Sequence, residues 1–198
     1  MKELFISSSF NFINNHKSLS DYEKIKIKYG LEVMYHFITK TTVILLLSYF
    51  LGLFKQNIML FCFYGLLRMF GNGLHAKSNL GCWVFSIITY ILMGLYIKHI
   101  TFNVMIIYIL DILSIFSFIL FAPSDTKNLP IINQQKRIQL KIKTCCIAII
   151  YIITSLLIKS IYTKSIICFS MCLEAVLINP FLYKITNSTF NNYKSYSC

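Results

Sequence analysis

Acidic side chains are scarce in this chain: 7 Asp and Glu face 19 Lys and Arg across 198 residues. Charged residues of either sign make up 13%, about half of what soluble domains carry, while hydrophobic residues reach 57%. A mean hydropathy of +0.66 with 17 Phe and 13 Tyr excludes intrinsic disorder and points to a bilayer. No CxxC…CxxC pair or Cys/His ladder of zinc spacing is present, so the cysteines signal no zinc site. The seven cysteines are no disulfide framework either: Cys62, Cys145, Cys146, Cys168 and Cys172 lie in or beside apolar runs, where a thiol behaves as a small hydrophobe. The first residues lack a continuous apolar stretch and a small-residue cleavage site, which argues against a signal peptide. No repeat, low-complexity linker or second domain is visible, so residues 1–198 read as one integral-membrane domain. The net charge of +12 would suggest nucleic acid in a soluble protein. Here the cations sit between apolar runs, so the positive-inside rule and anionic headgroups explain them, with no nucleic acid involved.

Residues 1–32 read as an interfacial region. On a helical wheel Phe5, Ile6, Phe10, Phe12 and Ile13 share an arc of roughly 160°, as in a helix lying in the membrane surface. Ser20 with Glu23 forms a capping-box pattern that starts a second helix. The run 24–29 alternates like a strand, but an unpaired strand entering a membrane would leave its backbone unsatisfied, so helix is expected. Membrane segments follow within 33–183, at 41–54, 56–67, 79–97, 100–122, 144–158 and 165–183, and 184–198 is a tail. The first two are shorter than the roughly 17–25 residues of a full span, so they extend by snorkelling lysines, are partly re-entrant, or merge into one span over 41–67. Charge separates these readings. With six segments and the N-terminus inside, 15 Lys and Arg face the cytoplasm and 4 face out, whereas the merged span sets the basic groups before residue 41 and at 127–143 on opposite sides. The expected fold is therefore all-α: about six transmembrane or partly re-entrant helices behind amphipathic interfacial ones.

The chemistry concentrates between two of these segments. Residues 68–82 hold Gly71, Gly73 and Gly81, with His75 and Cys82 seven positions apart. On one unbroken helix those two would be separated by about 10.5 Å of rise, too far for a hydrogen bond. The glycines let the chain fold so that imidazole and thiol can meet. A helix beginning near Ser78 or Asn79 puts Cys82 in its first turn, where the macrodipole favours a thiolate and free N–H groups can stabilise an oxyanion. His75 would be the general base. Taken alone, the pair reads more readily as an interfacial histidine and a buried cysteine.

Three blocks settle on a family. Residues 28–32 (Lys-Tyr-Gly-Leu-Glu), Arg68 with Gly73-Leu74-His75-Ala76 and Cys82, and residues 122–131 from Ala122-Pro123-Ser124-Asp125 to Ile131 resemble the AgrB family, membrane cysteine endopeptidases of bacterial quorum sensing. One departure is Asn72, where the family usually carries a further glycine. The resemblance implies a multi-pass protein of the bacterial cell membrane, and the charge split sets the expectation that both termini and the active site are cytoplasmic. The resemblance also implies catalysis by His75 and Cys82 on an AgrD-like propeptide, with an acyl-enzyme thioester, a cyclic thiolactone or lactone product and no cofactor. A homodimer is compatible with it.

The remaining polar groups carry plainer expectations. Arg68, Lys127, Lys136, Arg137 and Lys141 are candidate contacts for an acidic substrate, although the cluster that they form with Lys143 also suits a solvated positive-inside loop. Asp111 and Glu174 lie mid-segment, where a charge costs at least roughly 2.5–3.5 kcal/mol, so each is expected neutral or paired inside the bundle. They are also what a peptide transporter or exporter reading would draw on. A non-catalytic membrane scaffold is the other rival. Cys145 with Cys146 reads as packing, as do His16, His36 and His99.

Overall fold

A computed structural model of the chain describes residues 2–16, 20–74, 78–99, 103–126 and 130–195. Its regular elements are helical, in two compact units, Met1–Gly52 and Leu53–Cys198.

The first unit pairs α1 (Lys2–His16) with α2 (Asp21–Phe50). Ser20 and Glu23 form the expected capping box: Ser20 Oγ accepts the Glu23 N–H at 3.4 Å and Glu23 Oε2 accepts the Ser20 N–H at 2.9 Å. The strand-like 24–29 run lies inside α2, its backbone satisfied by the helix. Phe5 meets Tyr35 at 5.6 Å between ring centroids, and the Lys28 ammonium stands 4.7 Å over the Phe10 ring. Lys2 bonds Glu32, whose carboxylate raises the lysine above its ordinary pKa. Phe12, counted on the apolar arc of α1, is 67% exposed and lies off the packed face. The second interfacial helix and the first membrane segment turn out to be one 30-residue rod, about 45 Å long. Gly52, at φ +66°, ends that run, so 41–67 is not one span.

The second unit holds α3 (Phe54–Gly71), α4 (Asn79–His99), α5 (Val104–Phe121), α6 (Gln134–Leu157), α7 (Ile161–Ile178) and the short α8 (Pro180–Ile185), then a 3-10 turn at Asn192–Ser195. Over the described residues five helices are long and apolar enough to cross a membrane: α2 from Glu23, α4 from Leu80, and α5, α6 and α7 in full. Helix α3 is as long as α5, but Lys55, Gln56, Asn57 and Arg68 keep it below that apolarity. Helix α7 is the axis of the unit. Two-thirds of its span is buried (67%) against 17–22% for α4, α5 and α6, and α3, α4, α5 and α6 all pack on it. Leu67, Phe118, Ala148, Ile167, Met171 and Ile178 close the core with no exposed surface. Met105, Ile109, Ile112 and Phe116 of α5 point outward, as side chains in contact with lipid would. Asp111 and Glu174 both face inward and are fully buried, as a charge in a span requires.

Candidate active site

The site is assembled where α3 gives way to α4. Helix α3 ends at Gly71, and the next two residues take left-handed backbone, Asn72 at φ +58° and Gly73 at φ +102°. Asn is among the residues that tolerate such a φ, which explains how it stands where a glycine is usual. Without the third glycine the turn is still made. The loop is then tied down from three sides. The Gly73 N–H donates to Ser124 O at 3.1 Å and the Ser124 N–H donates to Gly71 O at 3.1 Å. The Leu74 N–H donates to Leu177 O of α7 at 2.9 Å, and Ser124 Oγ donates to Ile178 O at 2.8 Å. Ser124 is fully buried, so the 122–126 stretch is a wall of the site.

The third tie is Arg68. Its guanidinium donates to the carbonyls of Asn72, of Gly73 at 3.3 Å and of Leu74 at 2.6 Å. Its Nη1 also lies 3.5 Å from Glu174 Oε2. A Cβ on Gly71 would stand 2.5 Å from Glu174 Oε1, and one on Gly73 would stand 2.9 Å from Leu177 O. Gly71, still helical, is therefore required by close approach, and Gly73 by close approach as well as by the turn. Expected as a substrate contact, Arg68 has its donors directed at its own chain.

Cys82 opens α4. Ser78 caps the helix, its Oγ accepting the Gly81 N–H at 3.0 Å, and the Cys82 N–H closes the first turn on Ser78 O at 3.0 Å. The thiol is half-buried and forms no disulfide. His75 lies outside the described residues, between Leu74 and Ser78, both of which are placed. The described residues contain no group of three or more ligating side chains that could hold a metal.

The basic cluster sits at the same end of the unit. Lys143 stands 5.4 Å over the ring of Phe70, in the last turn of α3. Lys136 is exposed in the first turn of α6, and Lys141 is half-buried. Lys141 and Arg137 line a cavity of about 540 Å³ with Leu120, Phe121, Pro123 and Ile138. Arg137 is also engaged within the chain, 3.4 Å from Asp125 Oδ2 and stacked 3.6 Å over Tyr193. Buried Asp125 in turn accepts the Asn192 and Tyr193 N–H groups at 2.8 and 3.0 Å, fastening the C-terminal tail to this wall. Buried Tyr183 of α8 packs under it, and burial raises its hydroxyl pKa. Lys127 lies outside the described residues.

Fold and site together define a polytopic, all-helical membrane protein with a thiol at a helix start beside a loop held by a buried ion pair. The profile of the family accessory gene regulator B matches residues 6–178, and the chain belongs to this AgrB family. Membership ties it to accessory gene regulator quorum sensing. The chain is similar to an AgrB-like protein of Clostridium acetobutylicum, 30% identical over 91% of this chain and 87% of the relative. It is also similar to an AgrB-like protein of Listeria welshimeri, 32% identical over 87% and 84%. The accessory gene regulator protein B of Staphylococcus saprophyticus is 27% identical over 77% and 80%. No solved structure matches.

Proposed function

We propose that this protein is a membrane-embedded cysteine endopeptidase that removes the C-terminal tail of an AgrD-like propeptide. The observation that carries the reading is Cys82: a half-buried thiol in the capped first turn of α4, seven residues after His75 and next to a loop fixed on α7. His75 takes the proton from Cys82 Sγ as sulfur attacks the carbonyl before the tail. First-turn N–H groups of α4 stabilise the tetrahedral oxyanion. The C–N bond then breaks, His75 returns the proton to the leaving amine, and a thioester remains on Cys82. The propeptide's own thiol attacks that thioester and loses its proton to His75. Cys82 leaves as thiolate and the peptide as a thiolactone ring. Water must be kept out, since hydrolysis would give a linear peptide, and a site at the membrane interface covered by an amphipathic substrate achieves this.

Orientation belongs to the same proposal: with α3 crossing as a sixth helix beside the five more apolar ones, the 15-to-4 charge split favours this end of the bundle in the cytoplasm, where the propeptide is made. Lys127, Lys136 and Lys141 attract the acidic tail, with Arg137 and Arg68 shaping the wall behind it.

Cys82→Ala and His75→Ala should each abolish release of the tail from a C-terminally labelled propeptide while the protein still inserts. Release by Cys82→Ala membranes at the wild-type rate overturns the assignment, and peptide flux that survives the substitution favours the transporter reading.

A further inference from the structure

Glu174 is a fully buried carboxylate about one turn from the C-terminal end of membrane helix α7, and the reaction above gives it no part. Its place in the fold suggests one. On α7 it stands three residues before Leu177, so both lie on one helix face. Leu177 O accepts the Leu74 N–H, while Glu174 Oε2 faces Arg68 Nη1 at 3.5 Å. Helix α7 thus reaches the loop twice: directly through a backbone bond, and indirectly through Arg68. The Arg68 fork holds three successive carbonyls, those of Asn72, Gly73 and Leu74, which are the last peptide groups before His75. A guanidinium among neutral carbonyls has a donor direction but no fixed position. An opposite charge behind it supplies that position. Gly71 makes the approach feasible, since any side chain there would collide with Glu174 Oε1.

We infer that Glu174 is a positioning residue for the peptidase site: by fixing Arg68 it sets the Asn72–Leu74 backbone, the segment that leads directly into His75 in the sequence. The inference rests on the peptidase reading, but it has a readout that does not.

Full-length protein in lipid nanodiscs carries the test. Glu174→Gln keeps the shape and removes the charge, while Arg68→Lys keeps the charge and removes the fork. Each should lower kcat for tail release about 10- to 100-fold, the cost of an ångström-scale misplacement, with KM within about twofold of wild type. The double variant should fall little below the worse single one, because both act through one loop. Independently of any substrate, the pH profile of Cys82 alkylation by iodoacetamide, read on the Cys82 peptide by mass spectrometry, should move in Glu174→Gln. Where Glu174→Gln fails to insert, Glu174→Asp, which keeps the charge and shortens the reach, should show the same kcat loss. Wild-type kcat with an unchanged alkylation profile overturns the inference, and so does a raised KM at unchanged kcat, which would assign the pair to substrate. If Cys82→Ala still cleaves, the peptidase reading has failed, and the alkylation profile alone decides on Glu174.

Discussion

Gly73→Ala is the sharpest single perturbation that this geometry offers. At φ +102° an L-residue is strained by about 1–2 kcal/mol. The new methyl would also stand 2.9 Å from Leu177 O and 3.1 Å from Ile178 Cγ2. Leu177 O cannot retreat without loosening the Leu74 N–H bond, worth about 0.5–1.5 kcal/mol net. Together these cost about 1.5–3.5 kcal/mol, local to a loop whose flanking helices stay packed. A penalty of that size moves the loop's population about 10- to 300-fold away from its native geometry, at about 1.4 kcal/mol per factor of ten. The expected outcome is a kcat for tail release lowered by up to that factor, with insertion and helix content unchanged. Gly65→Ala is the control: it lies in α3 itself, and its added Cβ would meet nothing within 4 Å. That substitution should leave kcat alone and stabilise slightly, since Ala is the better helix former. Equal activity in Gly73→Ala and Gly65→Ala would refute the reasoning, because the loop would then not set the site.

Other outcomes follow from the same geometry. Asn72→Gly relieves a positive φ and keeps the carbonyl that Arg68 uses, so activity should hold or rise, whereas Asn72→Val should lower both kcat and thermal stability. Lys136→Gln with Lys141→Gln should raise KM at nearly constant kcat and flatten its salt dependence, while either change alone should do little, as exposed pairs are worth about 0.2–1 kcal/mol. Arg137 is left out of that test because its loss would also release Asp125 and Tyr193. Single cysteines at Lys127 or Lys136 should resist membrane-impermeant thiol reagents in intact cells while those at Lys98 or Lys159 react, and the reverse pattern would overturn the cytoplasmic placement of the site.

The helices were legible because a bilayer leaves the backbone no alternative, and the capping box at Ser20 and Glu23 needed only local chemistry. The start of α4 was legible for the same reason, since Ser78 caps it through its own chain neighbours. The continuity of α2 was not. Residues 21–32 are polar enough to read as interface, and Gly30, which meets nothing within 4 Å, breaks nothing. Polarity reports where a helix lies, and only breakers report where it ends. Arg68 misled for a related cause. A cation before a glycine-rich break looks available to a substrate, and only the left-handed turn at Asn72 and Gly73 reveals that the loop carbonyls curl back onto it. Glu174 was legible as an anomaly, an acid in a span that must be paired, but its partner lies on a different helix and no local pattern names it.

The membrane supplies the reason for such an arrangement. A loop that leaves a helix exposes carbonyls that water would normally satisfy, and at the end of an apolar bundle those groups need donors from the protein. Three carbonyls within one turn call for several N–H groups in a rigid fork, which is what Arg offers and Lys does not. Burying that cation then calls for an acid, and α7, the most buried helix of the unit, supplies it from its fully buried face. The acid fits only where the facing helix has no side chain, at Gly71. Each residue makes the next one necessary, from Gly71 to Glu174 to Arg68 to the Asn72–Leu74 backbone. Removing any of them should therefore register in the rate of tail release before it registers in the stability of the bundle.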